Sequence, residues 1–293
     1  MATARHTPIR TRPIVSTDAA TCALERRASS SIGSEIGALR IRAEQIGSRT
    51  AVVDAYRTAP FHLGLPNDRD GNGAAELIIQ GVGPGYLPGD RLTIDISVGG
   101  SATLAVRGQG ATKLFPSPHG VPANAHVSLS VDAGGRLMYM PGELIPFRQA
   151  VLEQDTRINV AQGGAVALGE ILTPGRIAMG EEYQFTRLHL NVEARNEGLL
   201  CLIERARLDP IRRPLIRAGR HGSYGIAGTL YLIGSDWSMP TSPLIPDTIR
   251  WAAAEGVGFK LVRFLGPTAQ AVGAAMKQFI SWSPSMRTPD QAV

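Results

Sequence analysis

Two glutamates sit where strand alternation calls for an apolar side chain. If residues 165–172, AVALGEIL, form a strand, Val166, Leu168, Glu170 and Leu172 share one face. If residues 199–208, LLCLIERARL, form another, Leu200, Leu202, Glu204, Ala206 and Leu208 share one too. A carboxylate turned towards an apolar interior must pair with a cation, take up a proton or line a wet cavity. Two readings are open: a salt bridge, with Arg176 or Arg205 within reach, and a polar channel or ion site inside a β scaffold.

The remaining chemistry-bearing residues are less organised. Asp90, in the turn PGD, has an ordinary use in accepting backbone hydrogen bonds. GVGPGY, residues 81–86, has the glycines of a phosphate loop, but it runs into a strand and not into the helix whose amides would face the phosphate. His119 and His126 flank a proline-rich loop without metal-pair spacing and are expected to be exposed loop residues. His189 alternates onto the polar side of its strand, and His221, in GRHGSYG, has no neighbour in sequence that assigns it a task. The two cysteines, Cys22 and Cys201, form no C-x-x-C pair, which fits a reducing compartment and argues against a disulfide scaffold or a thiolate zinc site. Cys201 reads as a small buried hydrophobe.

The elements that must position these residues are strands. In 91–98, Leu92, Ile94, Ile96 and Val98 alternate with Thr93, Asp95 and Ser97, and the Pro-Gly-Asp turn sets the start. Residues 39–44 and 50–56 form a hairpin around the turn IGS. Further strands are expected at 102–107, 127–131, 136–140, 157–160, 165–172, 182–194, 199–208 and 228–233, separated by the breaks VGG, DAGG, AQGG and TPG. No fixed-period repeat marks a propeller or solenoid. A helix is expected in 266–282, where Val272, Met276, Phe279 and Ile280 share a face, and a weaker one in 246–256. The fold class is mainly β, with a few helices towards the C-terminus.

Composition agrees. The 293 residues suffice for one large core or two ordinary ones, and 33 glycines and 20 prolines are the punctuation of many short strands. Much of the net charge of +5 comes from scattered arginines, which fit solvated strand faces or an acidic protein partner, and with aromatics at only 5% nucleic acid is disfavoured. No apolar run reaches the ~18 residues of a membrane helix. Residues 1–32, basic and without an apolar signal core, are expected to be a disordered extension of a cytoplasmic protein, with residues 33–293 forming a single β domain.

The order of motifs adds a further expectation. GYLPGDRLTIDISVGGSATLAVRGQGATKLFPS, then LMYMPGELIPF, then GEILTPGRIAMGEEYQF and LLCLIERARLDP, closing with VRFLGPTAQAVGAAMKQFI, together resemble the urease accessory protein family UreD, also called UreH. The similarity spans roughly residues 33–280. It implies an elongated fold of stacked, β-helix-like sheets and a non-catalytic chaperone. Such a chaperone binds apo-urease and recruits a UreF-like protein, which in turn docks a UreG-like GTPase. It also implies a passage through which nickel moves towards urease, with no tightly bound cofactor. The family's acidic path positions fall on Asp90, Glu170 and Glu204. Isolated carboxylates hold a partly hydrated ion loosely, as a carrier that must release its cargo requires. In KLFPS, Lys113 and Ser117 match the family pattern, while Phe115 and Pro116 replace a Tyr-Arg pair. Two alternatives stand beside this reading: an all-β carbohydrate-active hydrolase using Glu170 and Glu204 as acid and base, and an interaction scaffold without a metal path.

Overall fold

Among the described residues strands account for 58% and helix for 5%, and they are arranged as two stacked sheets between which the chain coils. The computed structural model describes residues 9–10, 37–68, 71–216, 221, 224–234, 237, 240 and 243–280. Apart from Ile9–Arg10, which pair antiparallel with Arg57 and Tyr56, the expected N-terminal extension lies outside the described residues.

The first sheet has parallel strands Gly37–Ile46, Arg91–Val98, Ala123–Val131, Val151–Val160 and Arg187–Asn196 at its centre. Leu199–Leu208 closes it as an antiparallel edge. The second sheet has parallel strands Ala75–Gly81, Thr103–Gly108, Arg136–Met140 and Ala165–Leu172. Ile226–Gly234, Phe259–Gly266 and Arg250–Gly256 extend it antiparallel towards the same end. Between Ala75 and Asn196 the chain alternates sheets, one long strand in each per turn, and the short strands Thr112–Leu114 and Glu143–Pro146, within the return connections, add to the second sheet.

The two sides of this coil differ in sequence and length. From the first sheet to the second, the connections are four residues each (99–102, 132–135 and 161–164), and each contains a Gly-Gly pair. The turns stack so closely that a Cβ on Gly135 would stand 2.7 Å from the Gly99 carbonyl oxygen, so the turn excludes a side chain there. From the second sheet back to the first, the connections run nine (82–90), fourteen (109–122), ten (141–150) and fourteen (173–186) residues. The tight side pins the sheets together. The loose side leaves space between them.

Alternation puts one face of every strand inside. In Arg91–Val98 the residues Leu92, Ile94, Ile96 and Val98 are all buried, as the sequence pattern requires. Parallel registers stack such residues into rows, for example Ala75, Leu104, Leu137, Val166, Ile233 and Phe259 across the second sheet. The expected C-terminal helix is Ala269–Lys277, capped by Thr268, whose hydroxyl accepts from Ala271 N at 3.1 Å. It lies on the outer face of the second sheet, where Val272, Met276 and Phe279 pack against Leu230 and Phe264.

The structure corrects the weaker helix. Arg250–Gly256 is an exposed edge strand paired with Phe259–Gly266. Its alanines read as helical by propensity, but a turn at Val257 and Gly258, the latter with φ +78°, folds the segment onto its neighbour as a hairpin. His126 likewise lies in strand Ala123–Val131, not in a loop, although it is exposed as expected. The segment expected as one strand over 182–194 begins as a short pairing of Glu181–Glu182 with Gly175–Arg176, and its long strand starts at Arg187.

Candidate functional site: an acidic chamber between the sheets

The polar residues of the interior gather beneath the long connections. One row of the first sheet reads Leu39, Ile94, Val127, Thr156, Val192 and Glu204; the next ends Gln154, Leu190 and Ala206. Facing them in the second sheet are the rows Tyr139, Leu168, Tyr231 and Glu170, Thr229, Arg263. Glu170 and Glu204 thus come from opposite sheets and line one chamber of 160 Å³. Alternation placed both on the inward side, and the structure brings them together.

Neither carboxylate has the partner that proximity in sequence offered. Glu204 Oε1 accepts from Arg263 Nη2 at 2.6 Å, and Arg205 points away with only a backbone contact. Arg263 reaches Glu204 across Thr229, whose Oγ1 accepts from Nη1 at 3.3 Å. Arg176 pairs instead with Glu181, at 2.7 Å through Nε and 2.6 Å through Nη2. Glu170 Oε1 accepts from Gln154 Nε2 at 2.8 Å. It is enclosed by protein, and its accessible surface faces the chamber. Burial pushes its pKa up to about 7; the Gln154 hydrogen bond opposes the shift and the negative charge of Glu204 adds to it.

The rest of the lining is suited to a hydrated ion. The phenols of Tyr139 and Tyr231 are pushed up by burial and by the nearby carboxylates, and burial takes Tyr86 up to about 12, so all three remain O–H groups. Thr156 Oγ1 is buried without a hydrogen-bond partner among the described residues, whereas Glu204, besides accepting from Arg263, has the Tyr231 phenol beside it. A buried polar oxygen left unpaired is costly. Among the described residues no group of three or more His, Cys, Asp or Glu could hold a metal ion. The arrangement offers two carboxylates and neutral oxygens, which hold divalent ions less tightly than clustered imidazole or thiolate.

The chamber adjoins two further cavities. On one side, a cleft of 280 Å³ shares Tyr86, Thr112, Tyr139 and Pro141 with it. This cleft is framed by the two loops singled out in the sequence, GVGPGY and the segment leading to KLFPS, joined where Tyr86 N donates to Lys113 O at 2.8 Å. Gly85, with φ +137°, lies against that carbonyl, which leaves no room for a Cβ. Phe115 packs against Phe147 with ring centres 5.0 Å apart, and Ser117 is buried with its hydroxyl donating to Val121 O at 2.8 Å. On the other side, a cleft of 490 Å³ shares Leu208, His221, Thr229 and Arg263 with the chamber, and Arg207, Arg213 and Arg250 help line it.

Asp90 is placed differently from the two glutamates. Its Oδ2 accepts from Leu87 N at 2.8 Å in the turn before Arg91–Val98, and it does not line the chamber. Its charge is felt there through Tyr86, whose phenol it helps to raise. Leu200 is also off the expected face: a bulge opposite Ala194 and Arg195 turns it outward, 46% exposed, and brings Cys201 inward beside Leu202.

The profile of the UreD urease accessory protein family matches residues 35–290. The chain belongs to the UreD urease accessory protein family. It is 32% identical over 208 residues to a urease accessory protein UreD 2 of Streptomyces griseus, covering 69% of this chain and 67% of that one. With a UreD of Cupriavidus necator it is 30% identical over 268 residues, 87% of this chain and 90% of the relative. With a UreD of Cenarchaeum symbiosum it is 30% identical over 209 residues, 69% and 72% of the two chains. A UreD-family member has a role in urease maturation, and the chamber lies within the matched region. No helix among the described residues is long and apolar enough to cross a membrane.

Sequence reasoning missed Arg263, Gln154 and the three tyrosines. Tyr139 and Tyr231 alternate with apolar residues and read as core; their hydroxyls become informative only once the opposite sheet is in place. Arg263 stands 59 residues from Glu204, beyond any local pattern.

Proposed function

We propose that this UreD-family protein acts as a maturation chaperone that relays nickel to apo-urease through the acidic chamber. The observation that carries the reading is the meeting of Glu170 and Glu204, from opposite sheets, in a chamber whose lining residues are shared with a cleft on either side. Nickel is the cargo and not a resident cofactor. In transit it would meet carboxylates and neutral oxygens, a donor set loose enough to release it. Arg263 neutralises Glu204 while no cation is bound, so the resting path does not carry two buried unpaired charges.

The broad sheet surfaces serve the partners: apo-urease on one side, and on the other a UreF-like protein that docks a UreG-like GTPase. Asp90, at the turn before the first chamber-lining strand, acts through Tyr86 at the edge of the path. The carboxylates lie within the sandwich and not across an open cleft, so a sugar chain has no groove between them, unlike the arrangement glycoside hydrolysis requires.

The test is urease made with the surrounding urease genes, with and without this gene. The expected result without it is assembled urease that is poor in nickel and inactive. Fully loaded urease in its absence would overturn the reading.

A further inference from the structure

The two sheets do not end together. Gln154 meets Glu170 across the sandwich and, further along, Glu204 meets Arg263, so Leu199–Leu208, the last strand of the first sheet, lies over Phe259–Gly266. Arg250–Gly256, the last strand of the second sheet, therefore overhangs by one strand. All seven of its residues are exposed. They include Arg250, Ala252 and Ala254, which pair with Leu265, Arg263 and Leu261 and so share the interior face with them. In a closed sandwich such a face is covered by the other sheet. Leu199–Leu208 itself pairs on one side only, which leaves a row of backbone N–H and C=O groups available to another strand. The overhang and the free edge frame a slot one strand wide.

The ends of this slot differ in chemistry. At the end with the Gly-Gly turns, Leu199 is 75% and Val257 93% exposed, and the turn at Gly258 lies against Asn196. At the other end the slot opens into the 490 Å³ cleft lined by Arg207, Arg213 and Arg250. The side chains of Arg207 and Arg213 meet no carboxylate among the described residues, and Arg250 Nε donates to the Tyr224 hydroxyl at 3.2 Å. Asp209, the carboxylate of the described lining, is engaged by Arg212, from whose backbone N it accepts at 3.1 Å. Three guanidiniums without a counter-charge repel one another, and an incoming carboxylate relieves that repulsion through charge-assisted hydrogen bonds.

We propose that this slot docks an extended segment of a partner protein, apolar at one end and acidic at the other, which adds to the free edge of Leu199–Leu208 as a further strand. Backbone pairing supplies the fit, Ala252 and Ala254 leave room for inward side chains, and the guanidiniums select carboxylates. Charge argues against a second copy of this chain as the occupant. Turned about a two-fold axis along the strands, its Arg250–Gly256 enters the slot but sets Arg250 against Arg250 with no carboxylate between them. The cleft shares Leu208, Thr229 and Arg263 with the chamber, so a partner seated here stands at the mouth of the path proposed above. The docking site does not rest on that path.

The experiment expresses the full chain with the surrounding urease genes and places a photo-crosslinking amino acid at Ala254, inside the slot, or at His126, on the exposed outer face of the first sheet. Mass spectrometry sequences the cross-linked peptides. The expected result is capture, from Ala254 and not from His126, of a partner segment carrying acidic residues. Its yield is expected to fall about 10-fold or more when Arg207→Gln and Arg250→Gln are combined. Should the double variant fail to fold, the two single variants carry the charge test. Hydrogen exchange on the purified complex is expected to slow at the amides of Leu199–Leu208, which a contact through side chains alone would leave unchanged. No cross-link from Ala254, capture of residues 281–293 or of a second copy of this chain, a yield indifferent to the arginines, or unprotected amides overturns the proposal. The two readings fail separately. If Glu170→Ala and Glu204→Ala leave urease fully loaded while the Ala254 cross-link persists, the path is wrong and the docking site stands. If those variants empty urease while Ala254 captures nothing, the path stands and the docking site is wrong.

Discussion

The interior of the sandwich has two ends built from the same strands, and they could hardly be less alike. Under the Gly-Gly turns, Val98, Val131 and Val160 face Leu104, Leu137 and Val166, all at 3% exposure or less. Two to six residues along the same strands, under the long connections, the inward side chains are Gln154, Thr156, Glu170 and Tyr139. Alternation is unbroken from one end to the other. What changes is the connection: four residues draw the sheets shut, and nine to fourteen leave a chamber that polar side chains can line. The dry end supplies stability and the wet end supplies the site. A rigid wall is what allows two carboxylates to be held apart in a low-polarity interior without the fold collapsing onto them.

The sharpest way to break this contrast is to damage the dry end. Leu137→Ala removes a fully buried side chain from a row of six and is expected to lower unfolding free energy by about 2–5 kcal/mol. Chemical denaturation measures the loss. Nickel delivered to urease per folded molecule should not change, because the chamber is untouched.

The wet end should respond with the opposite sign. Folded Glu170 keeps its proton to about pH 7, whereas an exposed glutamate gives it up near pH 4.5. Between those values the native state binds the extra proton, so this residue makes the fold less stable as pH rises through that window. Glu170→Gln is expected to change little at pH 4 and to stabilise by as much as about 3 kcal/mol at pH 8. Denaturation curves of both proteins across that range check it; a gain that does not grow with pH would mean that Glu170 is not enclosed as described.

Much of this division could be read in the sequence, and the parts that could not share one physical reason. The inward faces of Arg91–Val98 and Ala165–Leu172 followed from period-two alternation alone, because one buried face dictates it. Glu170 and Glu204 stood out by breaking that pattern. Their meeting in one chamber did not follow, because it depends on how strands far apart in sequence pair and stack. The same holds for Arg263, which crosses from the opposite sheet, and for Tyr183, whose hydroxyl meets the His221 ring 38 residues away. Local preference misled at Arg250–Gly256, where alanines favour a helix and a hairpin partner prevails. It misled again at Leu200, where a bulge shifts the register that alternation assumes. The coil itself left only a faint trace, in the Gly-Gly turns at 99–100, 134–135 and 163–164, because their spacing varies with the long connections.

The central claim is that the wet end carries nickel to urease. The measurement that tests it most directly is the nickel content of urease matured with the Glu170→Ala, Glu204→Ala double variant, supplied at the same folded amount as the wild type. The account predicts assembled urease that is poor in nickel and inactive. Urease carrying its full nickel complement with both carboxylates removed would contradict it.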